Sequence, residues 1–71
     1  MEAAAIDILL NGRPEHAPAG ASVRDLLQRL GASGPGVAVA VNEEVVRRED
    51  WGEARLSPGD RVEVIHAVGG G

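Results

Sequence analysis

The chain has 71 residues, a formal net charge of −4 at pH 7, no cysteine and one aromatic residue. A domain of this size buries only about 60% of the surface that its unfolded chain exposes, so an enclosed catalytic pocket is not expected. Without cysteine, a disulfide, a Cys-based zinc site and a thiol nucleophile are all excluded. Acidic and basic side chains are interspersed without a basic block, which argues against nucleic acid and anionic membranes and favours a partner with a basic docking surface.

The N-terminal residues predict neither export nor membrane insertion. Residues 1–10 carry no basic side chain ahead of their apolar stretch. No segment approaches the roughly 20 apolar residues that cross a bilayer. We therefore expect a soluble cytoplasmic protein with no membrane partner.

The first predicted element is a β-hairpin. An apolar strand at 6–10 runs into Asn11-Gly12, a dipeptide that supplies the positive φ angles of a type I′ turn. The return strand, 13–18, contains two prolines, which cannot donate to a ladder, so this strand is placed at a sheet edge.

A helix follows the turn at Ala19-Gly20. Ser22 and Asp25 have the spacing of a capping box, and Gly31 is the natural residue to end the helix. The apolar residues between them follow the spacing of one helical face: Val23, Leu26, Leu27 and Leu30.

The second half of the chain contains two principal strands. Residues 37–41 form the third strand, and Val45-Val46 is expected to pair briefly with it. The segment 47–56 has no clear period and holds Trp51, which is expected to cover one end of the core. A turn at 57–60 leads into the last strand, 62–68.

This ββαββ order predicts an α+β protein with the β-grasp (ubiquitin-like) fold, a mixed sheet with one helix across one face. The first and last strands should lie parallel in the middle of the sheet. The domain is placed at 1–68, and residues 69–71 form a C-terminal glycine tail.

The tail is the strongest functional signal. Glycine has no Cβ, so Gly69, Gly70 and Gly71 can thread a narrow channel and present an unhindered terminal carboxylate, about 10 Å beyond Val68. We therefore expect the carboxylate of Gly71 to be the reactive group. The alternative is an ordinary frayed terminus.

The predicted strands have two unlike faces. Alternate residues point at the helix: Ile6, Ile8, Leu10, Val37, Val39, Val41, Val62 and Val64. The opposite face also carries apolar residues, namely Leu9, Ala38, Ala40, Ile65 and Ala67, where an exposed sheet face should be polar. We interpret this second set as a partner-docking surface with Leu9 and Ile65 as anchors. Scattered exposed apolar residues are the alternative explanation.

The two histidines and the hydroxyl residues form no recognisable catalytic or metal-ligand pattern. His16 is interpreted as a solvated hairpin residue, and His66 as a structural or interface residue. We expect no metal site.

Four segments together resemble one family: ILLNG at 8–12, SVRDLLQRLG at 22–31, VAVNEEVVRREDW at 39–51 and SPGDRVEVIHAVGGG at 57–71. They are similar to the ThiS family, the sulfur carrier proteins of thiamine biosynthesis. The resemblance covers almost the whole chain. The positions that match in register are Asn42, Val46, Arg48, Trp51, Gly59, Asp60 and the terminal run.

The resemblance implies a carrier rather than an enzyme, with no bound cofactor. A partner, an adenylyltransferase similar to ubiquitin-activating enzymes, would consume ATP to adenylate Gly71. A sulfur donor such as a cysteine desulfurase system would then supply the sulfur of a thiocarboxylate, which a thiazole synthase would accept. Gly69 and Gly70 would serve as the tail.

Three alternatives remain open from the residues. All seven basic side chains are arginine, so a ubiquitin-like modifier of this sequence could be conjugated to other proteins but could not build side-chain-linked chains on itself. A molybdopterin-synthase small subunit would share the tail, fold and chemistry. A β-grasp interaction module would need only a binding surface.

Overall fold

A computed structural model describes residues 4–66 of the chain, and the predicted boundary between domain and tail lies outside them. In chain order the elements are β1 (Ala5–Leu10), β2 (Arg13–Pro18), α1 (Val23–Arg29), β3 (Val37–Val41), β4 (Glu44–Val46), a 3₁₀ turn (Arg48–Asp50) and β5 (Arg61–His66). Among these residues, no helix is both long and apolar enough to cross a membrane.

The five strands form one mixed sheet in the order β2-β1-β5-β3-β4. β1 and β5 are parallel, and every other pair of neighbours is antiparallel. The predictions of a β-grasp fold, of parallel first and last strands in the interior, and of β2 at an edge are confirmed. The brief pairing of Val45-Val46 is also confirmed, as β4.

The helix begins where the capping box predicts. The Ser22 side chain accepts a hydrogen bond from the Asp25 N–H at 3.1 Å, and the Asp25 carboxylate accepts one from the Ser22 N–H at 3.0 Å. The first two helical N–H groups, of Val23 and Arg24, donate to the carbonyls of Ala54 and Trp51. Two of the N-terminal donors that a helix leaves unpaired are thus satisfied by a segment far along the chain, and a third is satisfied by the cap residue.

The helix ends at Arg29, one residue before the last apolar residue of the predicted stripe, and Gly31 follows the cap residue as predicted. Gly31, at φ 69°, donates to the carbonyl of Gln28, and Ala32 donates to that of Leu27, which is the Schellman arrangement. Leu30 is therefore the terminal cap residue and is 41% exposed. Its predicted place on the buried stripe is wrong, because the backbone leaves the helical path at Gly31.

One hydrophobic core fills the space between α1 and the sheet. The helix contributes Val23, Leu26 and Leu27, and the strands contribute Ile8, Val39 and Val62, all buried. The other predicted core residues are partly buried against this cluster: Ile6, Leu10, Val37, Val41 and Val64. The predicted strand registers are therefore confirmed.

Residues 47–56, whose sequence has no clear period, fold around Trp51. Its indole is 2% exposed, and Nε1 donates to the Val46 carbonyl at 3.0 Å. The Arg48 guanidinium lies 4.4 Å from the ring centroid and donates to the carbonyls of Ser33 and Gly34. Trp51 covers the core as expected, and the Arg48 side chain fastens this segment to the loop after the helix.

Candidate functional site

The site predicted from the sequence consists of a glycine tail and an apolar sheet face. Gly69, Gly70, Gly71 and Ala67 lie outside the described residues. The structure does describe β5, the strand that leads to them, and the face of the sheet to which β5 contributes.

β5 is held on both sides. Its pairing with β3 runs in register from Val41–Val62 to Val37–His66. Its pairing with β1 is shorter and covers Leu9–Arg61 and Leu10–Val62.

The start of β5 is fixed by two turns. In the turn at 57–60, Gly59 takes φ 85° and the Asp60 carboxylate accepts a hydrogen bond from the Ser57 N–H at 2.7 Å. The other Asp60 carboxylate oxygen accepts from the Asn42 amide at 3.0 Å, while the Asn42 Oδ1 accepts from the Arg61 N–H at 3.0 Å. Three of the positions that carry the family resemblance thus build the beginning of this strand.

On the β1 side of β5, the side chain of Asn11 extends the hydrogen-bonded ladder beyond the last paired residue of β1. β1 ends at Leu10, and the next residue, Asn11, begins the hairpin turn at φ 50°. Its backbone N–H donates to the Val62 carbonyl at 2.8 Å. Its side-chain Oδ1 accepts from the Val64 N–H at 2.9 Å, and its Nδ2 is 3.4 Å from the Val64 carbonyl oxygen. Asn11 therefore acts as one more rung of the parallel ladder, joined to a residue 53 positions away.

The sheet face turned away from α1 is called the open face, and it is occupied by alternate residues of every strand. Cross-strand register puts Ala38 beside Ile65, and Ala40 between Glu63 and Val45. Ile65 is 61% exposed and Val45 is 78% exposed. We call Ala38, Ala40, Val45 and Ile65 the apolar strip.

Leu9 lies on the open face but not in the apolar strip. It is 39% exposed and is aligned with Arg61, four residues before Ile65 on β5. At about 3.3 Å per residue, that offset is about 13 Å along the sheet. The predicted docking set therefore divides: Ala38, Ala40 and Ile65 come together, and Leu9 stands apart from them.

Val45 was not among the predicted docking residues. The sequence did contain a signal, because Val45 is directly opposite Ala40 once the Asn42-Glu43 turn is taken as a two-residue hairpin loop. That turn is hard to recognise, since Glu43 occupies a φ of 73° where glycine is the favoured residue.

Charged side chains also lie on the open face, some of them beside the apolar strip. Glu63 is exposed next to Ala40, and at the nearby turn Glu43 pairs with Arg61 at 4.0 Å. At the far edge of the open face, the His16 imidazole contacts the Asp7 carboxylate at 2.7 Å, and both side chains are exposed. His16 is solvated as predicted, and His66 is the exposed last described residue of β5. Within residues 4–66, His, Asp and Glu form no group of three that could hold a metal ion.

Comparison with known proteins identifies the family. The ThiS family model matches residues 8–71. The sulfur carrier protein ThiS of Escherichia coli is 32% identical over 93% of this chain and 100% of its own length. A thiazole synthase of Magnetococcus marinus is 44% identical over 90% of this chain, which spans only 20% of that longer protein.

Solved structures agree with this assignment. The crystal structure of the thiamine biosynthesis protein ThiS from Geobacter metallireducens superimposes with a TM-score of 0.79 at 30% identity, covering 93% of this chain and 100% of that one. The fold, the family match and the relatives are consistent along almost the whole sequence. The chain therefore belongs to the ThiS family.

Proposed function

We propose that this chain, a ThiS-family sulfur carrier of thiamine biosynthesis, carries sulfur as a thiocarboxylate on the terminal carboxyl group of Gly71. The observation that supports this most strongly is the extent of the family match, which runs through residue 71 and so includes the whole glycine run. The domain would be residues 1–68, with residues 69–71 as the tail that enters partner active sites.

The chemistry follows from the reactivity of a carboxylate. Its oxygen is a poor leaving group, so an activating enzyme must first join the Gly71 carboxyl to AMP, with pyrophosphate released from ATP. A persulfide on the sulfur donor then attacks the acyl carbon and displaces AMP, and a thiol cleaves the resulting acyl disulfide by forming a disulfide with the donor sulfur. The product is a thiocarboxylate whose sulfur can attack an electrophilic carbon in the next enzyme.

In this proposal the chain supplies the reacting group and its partners supply the catalysis, the ATP and the sulfur. A pocket between the end of β2 and α1 has a volume of about 50 Å³, compared with the roughly 300–1,000 Å³ of typical small-molecule sites. The partners would be an adenylyltransferase similar to ubiquitin-activating enzymes and a sulfur donor such as a cysteine desulfurase system. Because activation consumes ATP, we place the reaction in the cytoplasm.

A thiazole synthase is the proposed acceptor of the sulfur. Segments similar to this chain occur within two longer proteins that are named thiazole synthase, at 44% and 31% identity. This association favours the thiamine branch over a molybdopterin-synthase small subunit or a protein modifier.

The apolar strip is the proposed docking surface for the activating enzyme. Ile65 lies next to His66, the last described residue of β5, so a partner that covers the strip also lies close to the end of the described chain. Its small alanines allow close approach, and Val45 and Ile65 offer the exposed side chains that a partner's apolar pocket would bury. Leu9 is a peripheral contact in this arrangement.

ATP–pyrophosphate exchange with the cognate activating enzyme tests the proposal. Deleting Gly71 should abolish exchange, and Gly70→Val should slow it strongly, because a β-branched residue restricts the backbone and obstructs a narrow channel. Both variants should melt at the temperature of the unmodified chain. Undiminished exchange by the deletion variant would show that the terminus is not the reactive group.

A further inference from the structure

Asparagine occupies the first position of both two-residue hairpin turns, and both side chains bond to β5. Asn11, at φ 50°, and Asn42, at φ 52°, are each in the left-handed region that such turns require. The Asn42 Oδ1 accepts the N–H of Arg61, the first residue of β5. The Asn11 Oδ1 accepts the N–H of Val64, two residues before the last described residue of that strand.

The two bonds have different consequences for the terminus. Asn42 acts where β5 begins, a point already held by the Asp60 turn and by the Leu9–Arg61 pairing. Asn11 acts beyond the last β1 residue that pairs with β5, which is Leu10. Along the β1 side, the Asn11 side chain is therefore the contact that carries the ladder farthest toward the tail within the described residues.

We infer that Asn11 is a positioning residue for the activation of Gly71, an inference that rests on the function proposed above. By fixing the backbone of Val64, its side chain holds the β1 side of β5 close to the end of the described strand, while pairing with β3 holds the other side as far as His66. The five residues from His66 to Gly71 reach at most about 17 Å when extended, so a tilt of about 10° at the end of β5 displaces that reach by about 3 Å. A displacement of about 1 Å can cost about a hundredfold in rate.

The test is a set of three variants. Asn11→Gly and Asn42→Gly both keep a residue suited to positive φ, and both remove a side-chain bond to β5. Asn11→Asp keeps an oxygen that can accept the Val64 N–H and tolerates the same backbone conformation. Each variant is assayed for kcat and KM in ATP–pyrophosphate exchange with the activating enzyme, for its melting temperature, and for amide hydrogen exchange at Val64 and Arg61.

We expect Asn11→Gly to change kcat without changing KM. Asn11→Gly should lower kcat by about 10- to 100-fold, because the terminus is misplaced in the bound complex. Its KM should stay unchanged, because the docking surface is intact. Asn11→Asp should restore most of kcat, and Asn42→Gly should retain the kcat of the unmodified chain. Amide exchange should accelerate at Val64 in Asn11→Gly and at Arg61 in Asn42→Gly.

Two results would overturn the inference, and they are distinguishable. If the unmodified chain is active and the two glycine variants have equal kcat values, Asn11 has only a structural role and the proposed function stands. If the unmodified chain supports no exchange at all, the proposed function fails and the positioning role fails with it.

Discussion

We expect Ile65→Glu, in the apolar strip, to weaken binding to the activating enzyme much more than a change to glutamate outside the strip. Burying an isoleucine side chain completely is worth about 1.5–3 kcal/mol. Ile65 is 61% exposed in the free protein. Docking would bury this exposed fraction, whose burial is worth about 1–2 kcal/mol. A carboxylate at that position would lose this contribution and would also lose hydration without a partner.

The lost apolar burial and the dehydration of the carboxylate together determine the expected loss of affinity. A change of about 1.4 kcal/mol is tenfold in the dissociation constant, so Ile65→Glu should weaken binding to the activating enzyme at least about tenfold. Its free energy of unfolding should change by no more than about 0.5 kcal/mol, as is usual at exposed sites. Leu9→Glu, outside the apolar strip, should have a smaller effect on affinity.

Two matched substitutions serve as controls. Leu30→Glu makes the same kind of change at a position that is 41% exposed at the end of α1, on the other side of the molecule, and should leave the affinity unchanged. Leu27 is fully buried in the core, so Leu27→Glu should unfold the domain, whose total stability is expected to be about 5–15 kcal/mol or less.

The assay is calorimetric or optical titration of each variant with the activating enzyme, beside an unfolding curve followed by fluorescence. Trp51 is the only tryptophan and is buried, so its emission should report unfolding. Equal affinities for Ile65→Glu and Leu30→Glu would refute the docking surface. Unfolding by Ile65→Glu would show that the open face is part of the core.

Two further predictions concern stability. Glu43→Gly should raise the free energy of unfolding by about 0.5–1 kcal/mol. The left-handed backbone at Glu43 costs a residue other than glycine about 1–2 kcal/mol, and the greater entropy of glycine in the unfolded chain cancels part of the relief. An unchanged or lower Tm would contradict this prediction. Hydrogen bonds from the Ser22 N–H hold the pKa of the Asp25 carboxyl below its ordinary value of 3.8. The unfolded chain therefore binds this proton more readily, so the stabilisation is present above pH 3.8 and is lost as the pH falls through the lower pKa of the folded state. The Tm difference between the unmodified chain and Asp25→Asn should accordingly shrink over that acid range, and a difference independent of pH would show that ionisation of Asp25 does not stabilise the fold.

Local signals predicted much of the fold. The Asn11-Gly12 turn, the capping box at Ser22 and the glycine after the helix each act over a few residues, and each is present in the structure. The alternation of strand residues then determined which face is buried, because the period of a strand leaves only two choices.

The features that sequence reasoning missed depend on distant partners. The 3₁₀ turn at Arg48–Asp50 is shaped by the burial of Trp51 and by the bonds of Arg48 to carbonyls in another loop. The separation of Leu9 from Ile65 depends on the offset between β1 and β5, which strand alternation alone does not specify. The bond between Asn11 and Val64 joins a hairpin turn to a strand 53 residues away, a distance over which a local sequence pattern gives no information.

The most direct test of the central claim is the intact mass of the protein isolated from its own cells under thiamine starvation with ample sulfur. We predict a species heavier than the unmodified chain by the difference between one sulfur and one oxygen atom. Fragmentation should place that difference at Gly71, and a Gly71 deletion variant should not show it. An unmodified mass in cells that contain an active adenylating partner would contradict the sulfur-carrier account.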